Sequence, residues 1–102
     1  MSQHYFLIKY RFNDGEEGEW RDQIARFIAA IDAAPELKGK LSYLCLKNRG
    51  GNDYYHLASA ADEGTIETLE KSAWFSSYTE KIKKASAGTV EVLPLELIGR
   101  TP

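Results

Sequence analysis

The apolar spacing of this chain switches between a period of two and a period of 3.6, and each period suits one kind of backbone. Residues 4–12 alternate. Phe6, Ile8, Tyr10 and Phe12 fall on one face, and Tyr5, Leu7, Lys9 and Arg11 on the other. Their aromatic and β-branched content suits a strand. Asn13-Asp14-Gly15 supplies a turn. From Glu16 the spacing becomes helical, with Trp20, Ile24, Phe27, Ile28 and Ile31 on one stripe. Acidic Glu16, Glu17 and Glu19 sit where the helix dipole favours them, and Pro35 and Gly39 stop the helix.

Residues 40–48 and 54–61 read as two further strands joined by the turn Arg49-Gly50-Gly51-Asn52-Asp53, which makes a hairpin. Asp62 is suited to cap a second helix running through Ile66 and Leu69. Ser72 breaks or re-caps that helix, and Trp74, Phe75, Tyr78, Ile82 and Ala85 extend its stripe to Gly88. Residues 89–98 form the last strand. At 102 residues there is room for one domain, residues 1–102. The expected class is α+β in β-α-β-β-α-β order, with a four-stranded antiparallel sheet.

Two features point to assembly. Tyr5 and Leu7 are large apolar groups on the strand face opposite Phe6 and Ile8. A sheet with helices on one side only should be polar on the other, so a partner is expected to cover that face. Pro94 interrupts the last strand, as proline does at an edge or bulge. Leu93, Leu95 and Leu97 around it then form an apolar edge that invites aggregation unless covered. A homodimer is the expected state. Lys9 and Arg11 fall on the same covered face, where interfacial ion pairs with Glu91 or another acid are their expected use.

Composition removes several function classes. Thirteen Lys and Arg against fifteen Asp and Glu leave a net charge of −2, and a nucleic-acid surface needs clustered cations. Tyr54-Tyr55-His56-Leu57 is not the aromatic-glycine signature of RNA-recognition domains. No apolar run approaches the length of a membrane span, and no signal peptide is visible, so a cytoplasmic location is expected. Cys45 is the only cysteine and reads as a small buried hydrophobe within the apolar run 41–46. Neither zinc-ligand spacing nor a phosphate-binding glycine loop is present.

The residues with chemical potential are mostly aromatic. Trp74 and Tyr78 share a helix face, Phe75 adjoins them, Trp20 lies on the other helix and Tyr10 on the core face of the first strand. Together they can line a pocket for a flat aromatic ligand, with polar tips on an apolar wall. The plainer use of any one of them is to fill a core. His56 is the only histidine away from the terminus, since His4 lies at the start of the first strand. His56 is suited to act as a general base, and its plainer use is as a structural or surface histidine.

The strand-helix-hairpin-helix-strand order is the ferredoxin-like plan. With its half-apolar outer face, this chain resembles the dimeric α/β-barrel superfamily, and within it the antibiotic biosynthesis monooxygenase-like group. The residues that carry the resemblance span nearly the whole chain. They are the opening strand His4-Tyr5-Phe6-Leu7-Ile8-Lys9-Tyr10-Arg11-Phe12, the hairpin into Tyr55-His56-Leu57-Ala58-Ser59, and the segment Glu70-Lys71-Ser72-Ala73-Trp74-Phe75, in which a Ser precedes a Phe by three. The resemblance implies two sheets packed face to face in a dimer, with a pocket in each subunit between sheet and helices. It also implies oxidation of phenolic or quinol-like aromatics by O2, with no metal or flavin. On that reading His56 or Tyr78 handles the proton, and Tyr10, Trp20, Trp74 and Phe75 hold the ligand. The alternative is a non-enzymatic ligand-binding or stress-associated barrel. The haem-degrading branch carries an Asn, a Trp and a His at positions that here fall on Ile8, Leu69 and Thr79, so haem binding of that type is not expected.

Overall fold

The computed structural model describes residues 3–102. The elements run β1 (His4–Arg11), α1 (Glu17–Ala33), β2 (Leu41–Lys47), β3 (Asp53–Ala60), α2 (Glu63–Glu70), α3 (Ala73–Ala85) and β4 (Glu91–Leu95). The four strands form one antiparallel sheet in the order β2-β3-β1-β4. This is the ferredoxin-like α+β plan, with its second helical segment in two pieces.

The break in that segment is at Ser72. Asp62 caps α2, its carboxylate accepting the backbone N–H of Thr65 at 2.8 Å. That bond and a second from the Thr65 hydroxyl at 2.8 Å hold the Asp62 carboxyl below its usual range. At Ser72 the backbone turns extended, and its hydroxyl donates to the carbonyl of Thr68 at 3.0 Å instead of capping α3. The far end of α3 closes around Ala87 (φ 51) and Gly88 (φ 81). The Gly88 N–H reaches the Lys83 carbonyl and the Ala87 N–H reaches that of Lys84. This is the Schellman pattern, with alanine at the left-handed position that glycine usually takes.

The core lies between one face of the sheet and the helices. Trp20, Ile24, Phe27 and Ile31 are the buried line of α1. Ile28, read from the sequence as part of that stripe, is 38% exposed, because it is rotated about 100° from Phe27 on the helix. Leu37, in the turn after α1, is fully buried and carried no periodic signal. The last strand is shorter than the pattern 89–98 suggested. Leu97 and Ile98 lie beyond β4, and β4 is an edge strand in which Pro94 pairs with Phe6.

The other face of the sheet carries a row of leucines. Leu44, Leu57, Leu7 and Leu93 are direct neighbours in register across all four strands. Leu44, Leu57 and Leu93 are exposed, as are Leu46 and Leu95 on the same face. Lys9 and Glu91 do pair, at 3.9 Å, but on adjacent strands of one chain and not across an interface. Arg11 likewise binds Asp53 of β3 at 3.2 Å.

Candidate functional site

His56 is fully buried at the middle of the inner sheet face. Register puts Ile8 and Cys45 beside it on the flanking strands. Its diagonal neighbours on the same face are Tyr10 and Tyr43, within reach of long aromatic side chains. Tyr10 Oη lies 2.8 Å from His56 Nε2, and Tyr43 Oη lies 2.5 Å from Nδ1. Tyr78 of α3 brings its hydroxyl to 3.4 Å from the same Nδ1. Trp20 of α1 donates its indole N–H to Tyr10 Oη at 2.9 Å. Two strands and two helices thus converge on one imidazole.

The environment is dry. Burial lowers the His56 pKa to about 4, so the ring is neutral at physiological pH. Burial also raises the Tyr10, Tyr43 and Tyr78 hydroxyls well above the usual phenol range. The Cys45 thiol is pushed up to about 11, chiefly by burial, and is half-buried against the core. It is therefore a protonated thiol with low reactivity. A separate cluster lies at the start of α1. Glu17 accepts the Tyr54 hydroxyl at 2.5 Å and pairs with Lys47 at 3.0 Å, and these partners hold its carboxyl low. Among the described residues no group of His, Cys, Asp or Glu side chains is spaced to hold a metal ion.

A cavity of about 340 Å³ opens between the inner sheet face and the helices α2 and α3. That is the size of a small-ligand pocket. Phe6, Ile8, Ala58, Leu69, Phe75 and Ile82 give it apolar walls, Tyr43 and Tyr78 add hydroxyl-bearing rings, and exposed Glu70 and Lys83 are its charged lining.

The candidates from sequence therefore separate. Tyr78 and Phe75 line the cavity. Tyr10, Trp20 and His56 lie behind its wall, joined to it through Tyr43 and Tyr78. Trp74 faces a shallower groove between α1 and α3, beside Phe27 and Lys81. Tyr43 is not among the candidates that sequence spacing marks. The alternation of β2 places it on the face of Leu41 and Cys45, but only the strand register shows that this face meets His56.

No protein-family model matches the sequence, and no curated protein matches it. Solved structures do. SnoaB, a cofactor-independent oxygenase from Streptomyces nogalater, superposes with a TM-score of 0.80 at 18% identity, over 100% of this chain and 99% of its own. Rv0793 from Mycobacterium tuberculosis gives 0.79 at 12% identity, over 99% and 100%. A Deinococcus radiodurans protein provisionally described as an antibiotic biosynthesis monooxygenase gives 0.76 at 10% identity, over 97% and 96%. The chain shares the ferredoxin-like α+β fold of these structures.

Proposed function

We propose that this protein is a cofactor-independent oxygenase acting on a small aromatic of the phenol or quinol type, bound in the cavity between the sheet and α2–α3. The observation that supports this most is the apolar cavity whose tyrosine wall is backed by the buried Tyr10–His56 pair. An electron-rich phenolate can pass an electron to O2. Recombination forms a C–O bond at the ring carbon para to the oxygen. Protonation of the resulting peroxide, loss of the proton on that carbon and O–O cleavage then leave a quinone and one water. In sum, one phenol and one O2 give one quinone and one water. The protein's part is to hold the ring, keep bulk water from the peroxide, and present hydroxyl donors to the oxygen that gains charge.

One observation favours a second reading, non-catalytic ligand binding. His56 sits behind Tyr43 and Tyr78 and does not line the cavity itself. Oxygen uptake decides between the two. With a panel of naphthols whose para carbon carries hydrogen, consumption above the uncatalysed rate is expected, and Tyr78→Phe should lower it. A broad panel with no uptake would remove the oxygenase reading and leave the binding one.

The same proposal includes a homodimer formed through the outer sheet face. Contiguous exposed apolar surface of this kind marks an interaction site. The leucine row is the same surface on any second copy, so it can pair with itself about a two-fold axis. Sedimentation at micromolar concentration should give a dimer, and Leu57→Asp, which sets a charge in mid-face, should give a folded monomer. A native chain that sediments as a monomer would end this part of the proposal.

A further inference from the structure

The hydrogen-bond chain behind the cavity has a direction. Trp20 Nε1 can only donate, and its partner is Tyr10 Oη. Among the described residues the only other side-chain partner of Tyr10 Oη is His56 Nε2, so the Tyr10 proton goes there. Nε2 is then the bare nitrogen of a neutral ring, and the imidazole proton sits on Nδ1. That proton faces Tyr43 Oη at 2.5 Å and Tyr78 Oη at 3.4 Å. Both hydroxyls stand on the accepting side of Nδ1–H, so their own protons are directed elsewhere. One can be shared between the two tyrosines. The last is left for the cavity, whose wall both residues form. The reverse order would strand the Tyr10 proton in the core without an acceptor, and a buried donor left unpaired is costly. Every buried side-chain polar atom among the described residues has a partner.

We infer that the cavity wall presents a fixed O–H donor from the Tyr43–Tyr78 pair, and so selects aromatic ligands that carry a hydrogen-bond acceptor, a ring carbonyl or a phenolate oxygen, over those that only donate or carry no polar group. Trp20 and Tyr10 are positioning residues in this arrangement. They touch no ligand, yet they set the tautomer that turns the tyrosine protons outward. Burial keeps these phenols protonated, which preserves their donor role. The inference rests on the cavity being the ligand site of the proposed function. It goes further by naming what the ligand must show to that wall.

The test uses two unreactive probes of one shape, indane and 1-indanone, with binding measured by calorimetry on the full chain. The ratio of ketone to hydrocarbon affinity is the readout, so general loosening of the pocket cancels. In the double variant Tyr43→Phe, Tyr78→Phe the ratio should fall about 10-fold relative to the native protein, the worth of one hydrogen bond. In Tyr10→Phe, which leaves the cavity wall intact, it should fall by about 3-fold, because the tautomer is no longer imposed. An unchanged ratio in the double variant overturns the donor wall while leaving the cavity as a binding site. An unchanged ratio in Tyr10→Phe overturns the directed chain. If neither probe binds the native protein, the cavity reading itself fails and this inference goes with it. Oxygen uptake plays no part in these outcomes, so a loss of the oxygenase reading remains distinguishable.

Discussion

Replacing Trp20 with alanine is expected to destabilise the fold by about 3–5 kcal/mol, the range for deleting a buried tryptophan. The side chain is 4% exposed. It stacks on Tyr78 with ring centres 5.9 Å apart and meets Tyr10 edge-on at the same distance. It also supplies the first proton of the chain through His56. Domains are stable by only about 5–15 kcal/mol, so this one change removes a large share. Trp20→Phe is the milder change. It keeps a six-membered ring, loses the N–H at a cost of about 1 kcal/mol, and adds the cost of the smaller gap left by the rest of the indole. Denaturant midpoints at constant slope report both values. An alanine variant that loses less than the phenylalanine variant would contradict this account of the core.

The second large effect is a loss of stability in acid. The unfolded chain protonates His56 below its ordinary pKa of about 6.5, whereas the folded chain resists protonation until about 4. Between those values the unfolded state binds the extra proton, so stability falls as pH falls. The interval corresponds to about 3 kcal/mol, fully kept above pH 6.5 and progressively lost toward pH 4. The groups facing the ring, Tyr10, Tyr43, Tyr78 and Cys45, hold their protons throughout this interval and do not add to the slope. Glu17 and Asp62, whose carboxyls are held low by hydrogen bonds, add a further loss at the acid end. Denaturant midpoints from pH 7 to pH 4, compared between the native chain and His56→Gln, isolate the histidine. Equal slopes in the two proteins would show that the ring is not buried neutral.

Much of the architecture was legible because it depends on spacing alone. The alternation through Phe6, Ile8 and Tyr10 sorted the two faces of β1 correctly, and Leu7 falls in the leucine row of the outer face, as its parity predicted. Asp62 was recognisable as a cap because capping is a local matter of one side chain and the next turn. Long-range placement was not legible. Tyr43 meets His56 across thirteen residues of chain, through a register set by the whole hairpin. Lys9 and Glu91 read from the sequence as partners across an interface, but the register that pairs β4 with β1 sets them directly opposite within one chain. Trp74 and Tyr78 share a helix face and both border the groove between α1 and α3, yet Tyr78 alone of the two also reaches the cavity. One turn of helix does not resolve such a difference.

The ring stack has a further consequence, in how the molecule handles light. Trp20, Tyr78 and Phe27 form a near-parallel column, with centres 5.9 Å and 3.8 Å apart. Tyr10 stands edge-on to the indole, and Tyr54 lies flat against Tyr10 at 5.4 Å. Excitation absorbed by these phenols has an indole acceptor well inside energy-transfer range. The folded chain should therefore emit almost wholly from tryptophan, and a tyrosine band should emerge only when the column opens. Intrinsic fluorescence then serves as a built-in gauge of the packing around His56, with no added dye.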